Sequence, residues 1–444
     1  MEFRVRRTAR LRSVAPLTRT ARTGSAPAEA VPTKTVLAKA VLPIVVAAGL
    51  LAGCSAAPPA EVYPAPRLQF AVPPDTTYDL ARAEPVATAR LIADLRGIPL
   101  LFLGEQHDEP RSHAWQAQLL QALVADGRHV TVGLEMLPEA ADPALEAWRQ
   151  GSATEAEFLE ASGWYDAWGF PWGYYADVFA VMREHRLPMH GLNADRATRQ
   201  AVSAGDWSAL PAATREAIGG LETPAPFADY LLHLLTQVGH GSDLDPGSPA
   251  FERFRRVQAL WDRFIGRRAA ALVQPAEPQA IVVVLVGSGH LSHKLGASLQ
   301  AARAGVSRQR TLWDHRFAGP PALRDERGAP AYPVPIGMAD YARVYGPVPR
   351  RPLPSLNGVT LSSDGAGLTV TAVHPWAPVA GRALRAGDVI VAVDGAPPAG
   401  AAALRLAYER LAPGESLTLT LRRSAGELFL RLPHPEAAAH PDEK

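Results

Sequence analysis

The run Ile281-Val282-Val283-Val284-Leu285-Val286 is the feature that most limits what this chain can become. Six consecutive apolar residues, five of them β-branched, make a strand with no face left for water. A strand hidden on both faces belongs to a parallel sheet covered by helices on either side. Shorter apolar runs precede it at Pro99 to Leu103, Val130 to Leu134 and Met189 to Leu192. Segments with helical apolar spacing lie between and after them: His113 to Ala125, Asp177 to His185, Ala250 to Val273, and about Leu291 to Ala304. Strand and helix in alternation predict an α/β domain, a parallel sheet flanked by helices.

Composition bounds the chemistry. One cysteine in 444 residues excludes a disulfide framework, a cysteine-built zinc site and a cysteine-ligated iron–sulfur cluster. The formal net charge of +1 joins two unlike parts. Residues 1–53 hold nine Lys or Arg and two Glu, which leaves 36 basic against 42 acidic residues in the remainder. A mildly acidic bulk argues against non-specific nucleic-acid binding.

The basic excess precedes an uncharged run from Ala40 to Gly53, too short to span a bilayer and shaped like an export signal. It ends in Leu51-Ala52-Gly53-Cys54, which resembles the lipobox of bacterial lipoproteins. That resemblance implies lipidation of Cys54, including palmitate, and a membrane-anchored place in the bacterial cell envelope. Ser55 after the cysteine fits sorting to the outer membrane, facing the periplasm. The expected organisation is a signal region at 1–53, a Pro/Ala-rich tether at 54–79, an α/β domain at 80–318, a Pro-rich linker at 319–355 partly docked through Tyr332, Met338, Tyr341 and Tyr345, a small domain at 356–433 and a tail at 434–444.

The residues just past each apolar run carry the chemistry. Leu103 leads into Gly104-Glu105-Gln106-His107-Asp108, Leu134 into Glu135-Met136, Leu192 into Asn193-Ala194-Asp195-Arg196, and Val286 into Gly287-Ser288-Gly289-His290. In a parallel sheet these positions lie at the carboxyl ends of the strands, the edge where open α/β folds place ligands. Glu105, His107, Glu135 and His290 therefore converge, and charged groups beside an apolar core must be paired or used. The bland alternatives are a helix cap at Asp108, a structural ion pair at Glu135 and tight turns at Gly287 and Gly289.

These motifs resemble those of the ChaN-like family of haem-binding lipoproteins, related to the TraB/Tiki proteins and the erythromycin esterases, over about residues 80–318. Both G-x-x-H motifs of that wider group are present, Gly104 to His107 and Gly287 to His290. The resemblance implies non-covalent haem binding, since no C-x-x-C-H attachment site exists. Trp164, Tyr165, Trp168, Phe170, Trp172, Tyr174 and Tyr175 place seven aromatics in twelve residues, either a core-packing lid or a face for a planar ligand. Under the haem reading Tyr174 or Tyr175 is the candidate iron ligand. His107 and His290 belong to the same candidate pocket, and His293, Lys294, Arg196 and Arg111 are candidate partners of the propionates. The competing implication is a hydrolase in which Glu105, His107, Glu135 and His290 hold a divalent metal or activate water.

Beyond the second Pro-rich stretch, short strands at Gly358 to Leu361, Leu368 to Val373, Asp388 to Val393, Leu417 to Leu421 and Leu428 to Leu432 surround one helix, Ala401 to Leu411. Leu384-Arg385-Ala386-Gly387-Asp388-Val389-Ile390 and Val393-Asp394-Gly395 resemble a bacterial PDZ domain, small and mostly β. The resemblance implies capture of a peptide or protein C-terminus by strand addition, with Leu356, Asn357, Gly358 and Val359 as the carboxylate cradle and Leu404, Leu406 and Tyr408 along the groove. The combined expectation is an anchored lipoprotein that binds haem and serves iron uptake. Hydrolysis and PDZ-based recruitment are the alternatives, and a second copy of the chain is a further candidate partner.

Overall fold

The computed structural model describes residues 69–435 apart from 222, 225–226, 229–230, 232–246, 349–352, 364, 366 and 380–383. Cys54, the leader and most of the tether lie outside the described residues. Among the described residues no helix is long and apolar enough to cross a membrane.

The first domain contains β1 (Gln69–Val72), β2 (Thr77–Asp79), β3 (Glu84–Pro85), β4 (Leu100–Glu105), β5 (His129–Pro138), β6 (Met189–Asn193), β7 (Ala280–Gly287), β8 (Gln309–Arg316), β9 (Leu323–Arg324), β10 (Pro330–Pro335) and β11 (Tyr341–Tyr345). Its main sheet has the order β3-β2-β11-β8-β4-β7-β5-β6. From β11 to β6 every neighbouring pair is parallel, while β2 and β3 close one edge antiparallel. The expected α/β class is observed.

Side-chain alternation along β4 and β7 explains their unbroken apolar character. Leu101, Leu103, Val283 and Leu285 join one core, under the helices Pro110–Ala125 and Ala176–Glu184. Leu100, Phe102, Val282, Val284 and Val286 join the opposite core, under the helices Pro249–Ala271 and Ala297–Arg303. Both faces of the strands are thus removed from water, each apolar side chain contributing roughly 1.5–3 kcal/mol on transfer.

The stretch 319–355, expected as a linker, instead completes the first domain. β10 pairs with β1 and β9 in a separate three-stranded sheet, and β11 enters the main sheet between β2 and β8. Pro330 opens β10, and Pro333 and Pro335 lie past the two residues that β9 pairs, where β10 has a neighbour on the β1 side only. Tyr341, Ala342, Val344 and Tyr345 are buried, so apolar burial overrides the turn-like composition of their surroundings. The end of the expected tether is likewise drawn in, since β1 and β2 fall within 69–79.

The second domain is an antiparallel sheet of β12 (Val359–Ser363), β13 (Leu368–Val373), β14 (Val389–Val393), β15 (Ser416–Arg423) and β16 (Gly426–Pro433), with one helix, Ala401–Glu409. Leu404 and Tyr408 on that helix enter the core of the second domain, whereas Ala402 and Leu406 enter that of the first. Polar contacts seal the seam: Ala402 N–H donates to Glu160 Oε2 at 2.9 Å, Gly173 N–H donates to Glu409 Oε2 at 3.3 Å, and Arg410 pairs with Glu155. The two domains belong to one compact unit.

Candidate functional site

The two G-x-x-H segments interlock at the carboxyl edge of the sheet. β4 and β7 are hydrogen-bonded neighbours with Glu105 opposite Gly287. A Cβ on Gly287 would stand 2.6 Å from His107 Cε1, and one on Gly104 would strike Ser288 Oγ. Each glycine therefore clears space for a side chain of the other motif, a close approach only glycine permits.

Glu105 is fully enclosed and saturated with donors. Its Oε1 accepts from the Tyr175 hydroxyl at 2.7 Å and faces His107 Nδ1 at 2.9 Å, while Oε2 accepts from Gln116 Nε2 at 3.0 Å and lies 3.5 Å from His113 Nδ1. Burial pushes its carboxyl upward, but the charge of His113 and the bond from His107 outweigh that and hold it below the ordinary range. The His107 side chain remains 28% exposed. Burial lowers the basicity of its ring, yet the bond to Glu105 and the charge of Glu135 raise it on balance. A carboxylate on Nδ1 fixes the ring and turns Nε2 toward Gly287, the arrangement in which histidine serves as a ligand or a donor.

A second cluster stands beside the first. Glu135 Oε1 is 3.1 Å from His290 Nε2, Glu135 Oε2 accepts from Gly287 N–H at 2.5 Å, and His290 Nδ1 is 2.7 Å from Asp262 Oδ1. Burial disfavours charge on all three groups. Against it, the carboxylates of Glu135 and Asp262 raise the His290 pKa to about 10, and His290 draws that of Glu135 down to about 2. Burial prevails at Asp262, whose carboxyl is raised. His290 is accordingly an imidazolium at neutral pH. Among the described residues no group of three or more His, Cys, Asp or Glu is arranged to hold a metal ion.

Asp262, Gln258, His113 and Gln116 join the site without standing out in the sequence. Their signal is a polar residue on the buried face of an otherwise amphipathic helix, at spacings of three or four: His113 with Gln116, and Gln258 with Asp262.

The aromatic segment packs mainly as core, Trp168 included. Trp164, Trp172 and Tyr175 are among the largest fully buried side chains, and Trp172 touches Trp148, Phe158, Trp164 and Phe179. Trp168 and Phe170 also flank the His107 ring, with centroids 4.7 and 4.8 Å away. Tyr175 donates to Glu105 from full burial, which together with the Glu105 charge pushes its pKa well above the ordinary value. That is the reverse of what a tyrosinate ligand requires. Tyr174 is half-buried against the same core.

The remaining expected residues are scattered. Arg111 is engaged by Glu109 and the Gly346 carbonyl, and Lys294 pairs with Asp340 at 2.6 Å. His293 is half-buried with φ of 55°, its basicity lowered by burial, and Arg196 is exposed at the start of the helix Arg196–Ala204. In the second domain Leu356 and Val359 are buried, and Gly358 has φ of 81° with Trp376 and Ala377 packed against it. Arg405 donates to the carbonyls of Leu356 and Val359 at 2.8 and 2.5 Å, and the Asn357 side chain donates to the Gly169 carbonyl. Leu404 and Tyr408, expected along the peptide groove, are core residues, and Leu406 faces the first domain.

One buried acid offers a pH test. Asp314 is wholly enclosed and accepts from Ser112 Oγ at 2.5 Å; burial, opposed in part by that bond, pushes its pKa to about 7. A folded-state pKa above the unfolded value means the folded chain binds the proton more tightly, so this stabilisation is complete below about pH 4 and is lost as pH rises through 7. Asp314→Asn, which mimics the protonated acid, is expected to gain stability relative to the parent chain between pH 5 and 8.5. Urea midpoints at several pH values measure it; a constant difference contradicts the assignment.

Fold and site together define a parallel α/β ligand-binding domain whose carboxyl edge carries paired carboxylates and imidazoles beneath an aromatic cover. Residues 91–300 match the family model described as haem-binding uptake, Tiki superfamily, ChaN, and residues 355–432 match the PDZ domain model. The chain thus carries a ChaN-like haem-binding uptake domain followed by a C-terminal PDZ domain. Among solved structures it is similar to ChaN of Campylobacter jejuni, described as binding haem cofacially, at 19% identity over 60% of this chain and 95% of that one, with a TM-score of 0.46. An erythromycin esterase mutant in its open conformation is 14% identical over 59% of this chain and 82% of that one, TM-score 0.31. The serine endoprotease of Yersinia pestis is 21% identical over 18% of this chain and 28% of that one, TM-score 0.16. No curated protein matches the chain.

Proposed function

We propose that the chain is a lipid-anchored envelope protein that binds haem non-covalently at the carboxyl edge of its main sheet, in the service of haem or iron uptake, with the PDZ domain engaging a protein C-terminus. The match of residues 91–300 to the haem-binding family supports this reading. The observation that carries it is His107: a partly exposed ring, oriented by a buried carboxylate and flanked by Trp168 and Phe170. Apolar aromatic faces beside one oriented donor suit a planar tetrapyrrole, which supplies a ferric iron able to accept an axial ligand. The unpartnered indole N–H of Trp261, beside His290, fits a site that awaits a partner. His107 and Tyr174 are the candidate axial groups, and Tyr175 orients Glu105.

The hydrolytic alternative is less well supported. A histidine held protonated up to about pH 10 has no free base capacity at neutral pH, so His290 is a poor activator of water. The experiment is a titration of the full chain with hemin, read by the Soret band. A saturable shift that His107→Ala or Tyr174→Phe weakens is expected. Free-hemin absorbance throughout rejects haem binding, and hydrolysis of an ester or peptide lost in Glu105→Gln would install the alternative.

A further inference from the structure

The helices Arg196–Ala204 and Pro249–Ala271 pack against one another at the β6 end of the sheet and leave a groove of about 440 Å³ between them. Arg196, Arg199 and Arg253 line it, with Val257 and Trp261 as an apolar wall. Among the described residues no carboxylate forms an ion pair with any of the three arginines. Asp195 is occupied in capping its helix, accepting from Thr198 N–H at 2.7 Å and from the Thr198 hydroxyl at 3.1 Å. Two buried polar atoms in the groove, Arg199 Nε and Trp261 Nε1, have no hydrogen-bond partner. Burial, with the neighbouring charge of Arg196, lowers the Arg199 pKa, so its cation is held at a cost that an anion would relieve.

The groove adjoins the candidate site. Trp261 meets the His290 ring edge-on with centroids 6.1 Å apart, and His290 touches Glu135. Two unlike faces therefore meet at the carboxyl edge: Trp168 and Phe170 at His107, on the side of the first core, are apolar and aromatic, while the groove beyond Trp261, on the side of the opposite core, is cationic. Haem has the same division, an apolar macrocycle with two carboxylates on one side. Guanidinium forks bind carboxylates through paired, charge-assisted hydrogen bonds, and an indole N–H supplies one donor more.

We propose that Arg196, Arg199 and Arg253 form an anion site that takes the propionate carboxylates of the tetrapyrrole, with Trp261 as wall and donor. The inference rests on the haem-binding reading and adds to it which end of the ligand enters and what recognises it. It displaces Arg111 and Lys294 from that role, since both are already paired within the first domain.

The test compares ferric haem with its dimethyl ester, in which both propionates are neutral, by Soret titration of the full chain. The parent chain is expected to bind haem at least about tenfold more tightly than the ester, the scale of a hydrogen bond to a charged group. Arg199→Gln with Arg253→Gln is expected to remove that preference while leaving ester affinity within about twofold, which also shows that the variant is folded. Arg199→Lys, which keeps the charge and loses the fork, should fall between. Equal affinity of the parent chain for haem and ester overturns the proposal and leaves the haem reading standing, as does a preference that survives in the double variant. A parent chain that binds neither compound overturns the haem reading itself.

Discussion

Replacing His290 by alanine is expected to lower the stability of the folded chain by about 3–5 kcal/mol, the cost of leaving a buried charge without its partner. The imidazole lies between Glu135 and Asp262, 3.1 and 2.7 Å away, and all three side chains are almost fully enclosed. Without it two carboxylates face each other across a dry space. The change also alters how stability depends on pH. In the parent chain Glu135, with its pKa depressed to about 2, contributes stability that is present above about pH 4.5 and lost as pH falls through 2. His290, raised to about 10, contributes stability that is complete below about pH 6.5 and lost as pH rises through 10. The Glu135–His290 pair is therefore worth most between about 4.5 and 6.5. In the variant the optimum should move to acid, where both carboxylates accept protons. Guanidinium unfolding across pH 4–9 measures both effects, and an unshifted profile would show that the cluster is not ionised as described.

Trp172→Ala is expected to cost a similar 3–5 kcal/mol, through lost transfer energy and the cavity left behind. Trp172 is only 1% exposed and packs edge-on or tilted against four aromatic rings. Its indole N–H also donates to Glu155, and Glu155 is the carboxylate that holds Arg410 of the PDZ helix. The substitution thus loosens both the aromatic core and the seam between domains. Trp172→Phe, which refills part of the cavity but lacks the donor, should recover most of the stability and little of the seam. Hydrogen exchange at the Ala401–Glu409 helix distinguishes the two: faster exchange is expected in both variants, and unchanged exchange with a lowered denaturant midpoint would confine Trp172 to the first core.

The strands that carry the site are readable because their chemistry is redundant. Ile281 to Val286 cannot be anything but doubly buried, and β7 spans Ala280–Gly287. The convergence of Glu105, His107, Glu135 and His290 comes from parallel topology alone. Other parts are hidden for physical reasons. Pro-rich 319–355 looks like a linker because proline punctuates local structure, yet Tyr341 and Tyr345 bury enough surface to pull β11 into the sheet. β8 escapes notice because Gln309-Arg310-Thr311-Leu312-Trp313-Asp314 lacks an apolar run, and its polar members Thr311 and Asp314 are buried through bonds to Asp340 and Ser112. The pairing of Tyr175 with Glu105 spans 70 positions, and nothing local announces it. The G-x-x-H glycines, in contrast, are visible as turns, while their actual service, clearing room for the other motif, emerges only in three dimensions.

The Ala401–Glu409 helix gives each domain a claim on the other's history. A PDZ module joined by a free linker can be exchanged between proteins with little consequence, because all its apolar surface is its own. Here Leu404 and Tyr408 answer to one core and Ala402 and Leu406 to another, so a replacement module would have to match a surface it never met. Cutting the chain before Leu356 would bare the patch on the first domain that Ala402 and Leu406 now cover. Sequence drift on this helix is therefore constrained on two sides at once, and a transplanted PDZ domain should be recognisable by the loss of that second apolar stripe.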